Sequence, residues 1–453
     1  MFTKPIDDLK QALGQKVSVA PAILKSHGVD EGSHECALPD AVLFASSTED
    51  IVQALKICAK HNMPVIPYGA GTSLEGQVIP VHGGLTVDMS QMNRILTVNT
   101  SDMDVRVEAG ITRKALNLHL RDQGLFFPVD PGANCTLGGM VATRASGTNS
   151  VKYGTMREQL LTLKVITANG EIIETGTRAR KSAAGYDLTH LFCGSEGTLG
   201  IVAEVGLKVY GIPEKVSAGI CRFDNLSAAV ETVIGLIQLG TGISRVELLD
   251  ELAIRATNQH GNTNHPEKPT LFLEFSGSVS AVNDQIATFR SLSSETQSSD
   301  LEFATTQKEI NALWRARHQL YYATKALAPG KDTITTDVCV PISRLVECML
   351  ETRYDIEKSG LFGSMLGHVG DGNFHTILLI DPGNDKEIEQ VNELNRAIVR
   401  RAIDMGGTCT GEHGIGLGKK QFLNWEKESA VPVMQQTKVA LDPNNIMNPD
   451  KIF

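Results

Sequence analysis

The stretch that decides the fold is Pro67-Tyr-Gly-Ala-Gly-Thr-Ser73, a glycine-rich turn that follows an apolar run at residues 64–67. Residues 41–67 read as strand, helix and strand, with an amphipathic helix that starts at Thr48. Glycines in such a turn let backbone N–H groups approach a phosphate that side chains would block. The third glycine is Gly76, so the spacing is not that of a Rossmann fingerprint. Alone, the loop favours a plain tight turn.

Three further loops rich in glycine, serine and threonine follow along the chain. They are Pro131-Gly-Ala-Asn-Cys-Thr-Leu-Gly-Gly139, Ala145-Ser-Gly-Thr-Asn149 and Gly194-Ser-Glu-Gly-Thr-Leu-Gly-Ile-Val202. Each loop could be purely structural, because glycine is what any sharp turn requires. Four such loops in this order suit one long ligand.

Taken together over residues 40–213, these loops resemble the FAD-binding domain of the vanillyl-alcohol oxidase and p-cresol methylhydroxylase superfamily. The resemblance implies that the first loop holds the pyrophosphate of FAD and that the later loops line the flavin and the adenine. Many members tie the flavin covalently to a histidine at the position of Thr72, so non-covalent FAD is expected here. The implied FAD contacts are Tyr68, Gly69, Ala70, Gly71, Thr72, Ser73, Pro131, Thr136, Gly138, Gly139, Ser146, Gly147, Glu196, Gly200 and Ile201.

The sequence pattern changes after Pro213, where longer amphipathic helices alternate with strands such as Thr270-Leu-Phe-Leu-Glu-Phe275. This change predicts an α+β fold, with a two-subdomain FAD-binding domain and an α+β substrate (cap) domain that contains an antiparallel sheet. The predicted segments are a helical segment at 1–35, the FAD-binding domain at 36–213, the substrate domain with a metal site at 214–430, and a C-terminal segment at 431–453 that returns to the FAD domain.

Two histidine motifs carry the sharpest chemistry, Gly367-His-Val-Gly-Asp-Gly-Asn-Phe-His375 and Gly411-Glu-His-Gly-Ile-Gly416. The first motif reads as strand, turn and strand, which could bring His368 and His375 together. Two imidazoles and a carboxylate with an open position make a Lewis-acid site, and Glu412 can supply the carboxylate. Two histidines seven residues apart are more often unrelated, but the flanking glycines indicate a tightly held backbone. Asp371 could be a fourth ligand or simply a turn former.

These motifs, together with Asp337-Val-Cys-Val-Pro-Ile-Ser-Arg344 and the tail after Met447, closely resemble the group of cytochrome-type D-lactate dehydrogenases, glycolate oxidases and D-2-hydroxyglutarate dehydrogenases. The resemblance implies a divalent metal, with zinc or manganese favoured, bound by His368, His375 and Glu412. It also implies that His413 is the catalytic base. The implied substrate contacts are Arg317, Tyr321, Asn373 and His413, with Arg317 on the substrate carboxylate, and Asn448 lies close to the flavin.

The resemblance therefore predicts an FAD-dependent dehydrogenase that oxidises a D-2-hydroxy acid by metal-assisted proton removal and hydride transfer to flavin N5. Relatives that act on 2-hydroxydicarboxylates carry a lysine at the position of Thr335, so a monocarboxylate such as D-lactate is favoured. Glycolate and D-2-hydroxyglutarate dehydrogenases of the same group, and a non-catalytic flavin electron-transfer subunit, remain alternatives. A nicotinamide-dependent enzyme on a Rossmann domain is disfavoured by the loop spacing.

Composition restricts the partners and the location. The chain has 453 residues and a formal net charge of -10, which disfavours nucleic acid. Eight cysteines without CxxC spacing predict a reducing compartment. Neither a targeting segment nor a transmembrane segment is predicted, which indicates a cytoplasmic protein with peripheral attachment to the inner face of a membrane as an alternative. The expected partners are the substrate and an electron acceptor (quinone, cytochrome or flavoprotein), and a homodimer stays open.

Overall fold

The computed structural model describes residues 2–296, 298–299 and 301–453. These residues fold into two units. The first unit comprises the chain up to Ser146, Gly154–Ile212 and Glu412–Phe453, and the second comprises Gly147–Tyr153 and Pro213–Gly411. The units separate at Gly411, whereas the sequence-based segments kept residues up to 430 with the substrate domain.

The secondary structure mixes helices and strands throughout both units. The helices are α1 (Thr3–Leu13), α2 (Pro21–Ser26), α3 (Thr48–His61), α4 (Arg113–Leu120), α5 (Leu137–Thr143), α6 (Ser150–Tyr153), α7 (Met156–Gln159), α8 (Leu188–Phe192), α9 (Leu226–Gln238), α10 (Glu251–Gly261), α11 (Val279–Glu295), α12 (Gln307–His318), α13 (Leu320–Ala326), α14 (Leu345–Ser359), α15 (Asp385–Asp404), α16 (Lys420–Lys427) and α17 (Val431–Leu441).

The strands are β1 (Val17–Ser18), β2 (Ala41–Phe44), β3 (Val65–Tyr68), β4 (Leu85–Asp88), β5 (Ile95–Asn99), β6 (Asp104–Glu108), β7 (Leu125–Phe126), β8 (Leu160–Ile166), β9 (Ile172–Gly176), β10 (Ile201–Lys208), β11 (Tyr210–Gly211), β12 (Lys215–Arg222), β13 (Arg245–Leu249), β14 (Thr270–Gly277), β15 (Glu302–Phe303), β16 (Asp332–Thr335), β17 (Val338–Cys339), β18 (Phe362–Gly367) and β19 (Asn373–Ile380). Short 3₁₀ turns lie at Gly14–Lys16, Arg121–Gln123 and Ile342–Arg344.

The first unit contains a small sheet in the order β1-β2-β4-β3, in which β4 runs parallel to both β2 and β3. The crossover between β2 and β3 is α3, which confirms the strand, helix and strand expected from the sequence. Ser47 begins this helix by accepting a hydrogen bond from the N–H of Asp50, and Asn62 ends it in the left-handed conformation. The glycine-rich loop therefore starts where β3 ends.

A second sheet of the first unit has the order β5-β6-β10-β8-β9 and is antiparallel. Its strands coincide with short β-rich runs of the sequence, and along β10 the residues 201–205 alternate between buried and half-buried positions. The buried face packs against α4, α5 and the residues around them, with Leu116, Phe127, Met140 and Phe192 in its core. This packing fixes the loop at residues 131–139 that precedes α5.

The second unit is built on an antiparallel sheet in the order β15-β12-β14-β13-β18-β19-β16, with β17 also paired to β19. The strands β18 and β19 form the hairpin that the first histidine motif predicts. Residues 307–326 form two helices separated at Gln319, because α12 ends at His318 and α13 starts at Leu320. The Nδ1 atom of His318 lies 2.6 Å from the carbonyl oxygen of Trp314, so the side chain engages a carbonyl of the last turn.

The C-terminal tail of the first unit lies against β3, where the N–H of Asn448 donates to the carbonyl of Val65 at 2.8 Å. Lys438 on α17 fixes this tail. Its buried ammonium group donates to the carbonyls of Thr198 (2.8 Å) and Met447 (2.7 Å) and to the carboxylate of Asp442. Among the described helices, none is both long and apolar enough to cross a membrane.

We predict that Lys438→Met destabilises the first unit by about 3 kcal/mol, because it leaves the buried Asp442 carboxylate without its ammonium partner. Urea unfolding of the purified protein measures the change. Lys60→Met on the exposed side of α3, whose ammonium lies 3.9 Å from the partly exposed Asp8, is the control and should change the free energy of unfolding by less than about 0.5 kcal/mol. Equal losses in the two variants would contradict the role assigned to Lys438.

Candidate functional site

Two of the four glycine-rich loops pack directly against each other in the first unit. A Cβ atom on Gly69 would lie 2.3 Å from Oγ1 of Thr136, so only glycine fits at this point. Gly71 has a φ of +69°, which side chains rarely adopt. The Thr72 hydroxyl lies 3.5 Å from the thiol of Cys135, and the Thr136 hydroxyl accepts the N–H of Gly139 at the start of α5. Loops 69–73 and 131–139 thus form one backbone-lined surface.

The remaining residues predicted to contact FAD lie in several settings. The Tyr68 ring lies against the His27 ring, with centroids 4.5 Å apart and planes tilted by 48°, and the Ser146 hydroxyl donates to a carboxylate oxygen of Glu412 at 2.8 Å. The N–H of Gly147 donates to the Ser150 hydroxyl in the second unit. Ile201 begins β10, and a Cβ on the preceding Gly200 would lie 2.8 Å from a methyl group of Val165. Their contacts with FAD stay a prediction.

Glu196 holds the second histidine motif within the first unit. Its fully buried carboxylate accepts the N–H groups of Ile415 (2.6 Å) and Gly416 (2.8 Å). Burial raises the pKa of the Glu196 carboxyl to about 7, although these two N–H groups act in the opposite direction. The carboxylate of Glu196, a predicted FAD contact, therefore hydrogen-bonds to the protein backbone. The sequence did not indicate these hydrogen bonds.

Asn448 completes this arrangement. Its amide nitrogen donates to the carbonyl oxygens of Gln77 (2.9 Å) and Glu196 (2.7 Å), while its buried Oδ1 has no hydrogen-bond partner among the described residues. Gln77 in turn donates to the carbonyl of His413 at 2.7 Å, and Nδ1 of His413 lies 3.5 Å from the Glu75 carboxylate. Sequence reasoning missed Glu75 and Gln77, which follow the first glycine-rich loop and carry no motif of their own.

The two histidines of the first motif lie together in the second unit. His368 follows β18 and His375 lies within β19, with ring centroids 5.6 Å apart. Nδ1 of His368 lies 2.6 Å from Oε1 of Glu247, and Nδ1 of His375 lies 3.1 Å from the carbonyl of Thr336. Acceptors at Nδ1 favour the tautomer whose Nε2 lone pair is available to a metal.

Arg317 shares the same carboxylate. Its Nε and Nη2 atoms lie 2.7 Å and 2.6 Å from Oε2 of Glu247, which is a fully buried residue of β13. Burial alone would raise the pKa of the Glu247 carboxyl, but His368 and Arg317 hold it below its ordinary value. The sequence contained a signal for Glu247, since a charged residue inside an apolar strand needs a partner, but its partners could not be inferred.

The other two predicted substrate contacts differ in their surroundings. The amide nitrogen of Asn373 donates to Asp337 and to the carbonyl of Val338, both at 2.8 Å. Within the part of the chain that the structure describes, its buried Oδ1 has no hydrogen-bond partner. Tyr321 lies on α13 rather than one turn beyond Arg317 on the same helix, and its hydroxyl accepts from Thr333 at 2.6 Å. Asn373 thus presents an open acceptor, whereas the Tyr321 hydroxyl is already engaged.

His368, His375 and Glu412 are the group of potential metal ligands that the described residues contain, and each offers a ligand atom within 4.8 Å of the others. Glu412 follows directly after Gly411, whose N–H donates to Asp337 at 2.9 Å. Asp371 is not in the group, and its N–H closes the turn by donating to the carbonyl of His368 at 2.9 Å. The donor set of two imidazoles and one carboxylate suits zinc or manganese.

Comparison with known sequences matches two stretches of the chain to described families. Residues 39–176 match a family described as "FAD binding domain", and residues 212–452 match "FAD linked oxidases, C-terminal domain". The chain belongs to the FAD-linked oxidases. It is 46% identical to "Probable D-lactate dehydrogenase, mitochondrial" of Danio rerio, over 96% of this chain and 89% of the relative. It is 42% identical to "D-lactate dehydrogenase [cytochrome], mitochondrial" of Arabidopsis thaliana, over 94% of this chain and 76% of that relative.

The fold of this FAD-linked oxidase is similar to that of p-cresol methylhydroxylase with bound substrate. The TM-score is 0.80 at 16% sequence identity, over 100% of this chain and 96% of the other. The fold class predicted from the glycine-rich loops, that of the vanillyl-alcohol oxidase type, is therefore confirmed. The chain is an FAD-dependent oxidoreductase.

We predict that Gly69→Ala weakens FAD binding on the order of 10- to 100-fold, because the added Cβ would collide with Thr136 and separate the two loops. Flavin content after gel filtration and titration of the apoprotein with FAD measure the effect. Gly211→Ala is the control, since its Cβ would meet nothing within 4 Å. Unchanged FAD affinity in Gly69→Ala would show that the packing of these two loops is not needed for FAD binding.

Proposed function

We propose that this FAD-linked oxidase oxidises a D-2-hydroxy acid, with D-lactate as the preferred substrate, to the corresponding 2-oxo acid. The observation that carries the proposal is that His368 and Arg317 share the carboxylate of Glu247. A candidate metal ligand and a guanidinium able to hold a carboxylate thereby lie next to each other. The names of the two relatives, both D-lactate dehydrogenases, support the same substrate class.

The residues present fit both expected cofactors. For the metal, His368, His375 and Glu412 supply the ligands, and Glu247, Thr336 and Ser146 orient them by hydrogen bonds. For FAD, loops 69–73 and 131–139 supply a backbone-lined cradle, and the unpartnered Oδ1 of Asn448 supplies a buried acceptor. Thr72 cannot form the histidyl link found in many members of the superfamily, so the proposed FAD is non-covalent.

Oxidation of a 2-hydroxy acid requires a held carboxylate, a removed hydroxyl proton and an acceptor for the C2 hydride. When bound, the metal supplies Lewis acidity that lowers the pKa of the substrate hydroxyl, and FAD supplies the hydride acceptor. Arg317 holds the substrate carboxylate, and Asn373 contacts the substrate beside it, which leaves the single hydroxyl proton of D-lactate for His413. His413 takes the hydroxyl proton on Nε2, because its Nδ1 lies near Glu75.

The preference for a monocarboxylate rests on Thr335. This half-buried residue of β16 is neutral, and a second substrate carboxylate would need a cation such as the lysine found at this position in relatives that act on dicarboxylates. The electron acceptor proposed for the reduced flavin is a quinone, a cytochrome or a flavoprotein. A cytoplasmic location stays a prediction, and the printed names of both relatives include "mitochondrial".

Anaerobic mixing of the FAD- and metal-loaded protein with D-lactate tests the proposal. The visible flavin bands should bleach within the mixing experiment, and one pyruvate should form per flavin, whereas L-lactate should leave the bands intact. Faster bleaching by glycolate or D-2-hydroxyglutarate would show that this 2-hydroxy acid, and not D-lactate, is the preferred substrate. Flavin bands that no 2-hydroxy acid bleaches would favour an electron-transfer subunit without a substrate of its own.

We predict that His413→Asn slows flavin reduction by D-lactate at least ~100-fold, the usual contribution of a positioned general base. Metal and FAD contents should stay at the parent level, because neither assigned ligand set includes the imidazole of His413. Stopped-flow absorbance under anaerobic conditions gives the rate. A variant that reduces its flavin at the parent rate would show that another group takes the hydroxyl proton.

A further inference from the structure

Glu247 is a buried carboxylate that, beyond its hydrogen bond to His368, has no part in the proposed chemistry and contacts neither the proposed metal nor the substrate. Its side chain is 1% exposed, and it lies on β13, far along the sequence from both of its partners. The two carboxylate oxygens are divided between those partners. Oε1 lies 2.6 Å from Nδ1 of His368, and Oε2 lies 2.7 Å from Nε of Arg317.

The sheet of the second unit fixes the first of these contacts. In the antiparallel pairing of β13 with β18, Leu248 lies opposite Gly367. Continuing this register by one residue places Glu247 opposite His368, directly after β18 ends, and the 2.6 Å contact between the two side chains agrees with that placement. A shift of one residue in this register would send the carboxylate to the opposite face of the sheet.

Two neighbouring contacts, a cation–π contact and an ion pair, connect α12 to β13. Arg245 and Glu247 are two residues apart on the strand and share a face, while Trp314 and Arg317 are one turn apart on the helix. The Arg245 guanidinium lies 4.9 Å from the centre of the Trp314 ring, and Glu247 pairs with Arg317. The Arg245–Trp314 contact holds the helix and the Glu247–Arg317 ion pair holds the guanidinium, so the two contacts together restrict rotation of the Arg317 side chain.

The division of the oxygens has a chemical consequence for each partner. A carboxylate at Nδ1 keeps the proton of a neutral His368 on that atom, which leaves the Nε2 lone pair for a metal. On Arg317, the Nε and Nη2 edge is used by Glu247. The guanidinium has five N–H donors in a rigid plane, so this contact aims its Nη1 side toward a substrate carboxylate.

We propose that Glu247 is a positioning residue that sets, through one carboxylate, both the metal-binding tautomer of His368 and the orientation of the substrate-binding Arg317. The proposal rests on the proposed function for the roles of these two partners. It predicts that metal binding and substrate binding weaken together when this carboxylate is replaced, although Glu247 touches neither ligand.

Glu247→Gln is the informative variant, because glutamine has the same shape but only one acceptor oxygen and an NH₂ group that donates. Both partners present donors to this position, so one hydrogen bond is lost and the NH₂ faces an N–H. His368 can relieve that contact by moving its proton to Nε2, and this removes the lone pair that a metal needs. Loss of such an outer carboxylate typically weakens metal binding by about 10- to 100-fold.

The primary measurement is the affinity of the FAD-loaded protein for Mn²⁺ and for Zn²⁺, by titration calorimetry with chelator competition. Glu247→Gln should weaken it by about 10- to 100-fold, and Glu247→Asp should recover part of the loss because the charge is kept. Glu274→Gln is the matched control. It removes a buried carboxylate of the neighbouring strand β14 that pairs with Arg245, and it should leave metal affinity unchanged. Equal losses in the two glutamine variants would overturn the proposal.

A spectroscopic measurement on the metal-free FAD protein tests the tautomer without any activity. Protein labelled with ¹⁵N-histidine, with His368 assigned by its absence in His368→Asn, should show protonated Nδ1 and unprotonated Nε2 in the parent. Glu247→Gln should shift this pattern toward protonated Nε2, and Glu274→Gln should not. An unchanged pattern in Glu247→Gln would overturn the proposal. Parent-level FAD content and thermal unfolding establish that each variant is folded.

Kinetics with D-lactate separate this inference from the proposed function. In metal-saturated Glu247→Gln, KM should rise more than kcat falls, because the orientation of Arg317 is lost while His413 is intact. If the parent does not oxidise D-lactate but the metal and ¹⁵N results follow the prediction, the substrate assignment fails and the positioning role stands. If D-lactate is oxidised and both readouts stay at the parent level, the positioning role fails alone.

Discussion

The register of one hairpin sets the geometry on which the candidate metal ligands of the second unit depend. His375 lies opposite Leu366 within the β18–β19 pair, and His368 follows where β18 ends. The turn between the strands is tight, because a Cβ on Gly370 would lie 2.6 Å from Val151 and Gly372 has a φ of +79°. Larger residues at these positions would change the turn and, through it, the separation of the two imidazoles.

Buried carboxylates are concentrated next to this hairpin, and each of them is satisfied by hydrogen-bond donors. Glu247 is satisfied by Arg317 and His368, and Asp337 accepts from the N–H of Gly411 and from Asn373. Burying such groups is expensive and is tolerated only when each finds partners. A hydrophobic set of similar volume could stabilise a sheet as well, so the retention of these charges points to chemistry rather than to folding stability.

In the first unit, two residues with strained backbone conformations restrain the loop of His413. Glu196 and Asn448 are non-glycine residues with φ values of +51° and +40°, a conformation that costs free energy. Both residues bond to the backbone of other segments, namely the loop at 415–416 and the carbonyl of Gln77. The strain is thus offset by hydrogen bonds that fix His413 without using its side chain.

The sequence by itself determined the local elements and the residue types of the site. The unit β2–α3–β3, the β18–β19 hairpin and the glycine-rich loops follow from short-range periodicity and turn chemistry, which act within a few residues. The family resemblance added the roles expected of His368, His375, Glu412 and His413. Tertiary structure alone decided that Glu247 serves both His368 and Arg317, because these partners lie 121 and 70 residues away and meet through the strand order. Tertiary structure also decided that the Glu196 carboxylate accepts the N–H groups of Ile415 and Gly416. No sequence pattern identifies the donors that a buried carboxylate will meet.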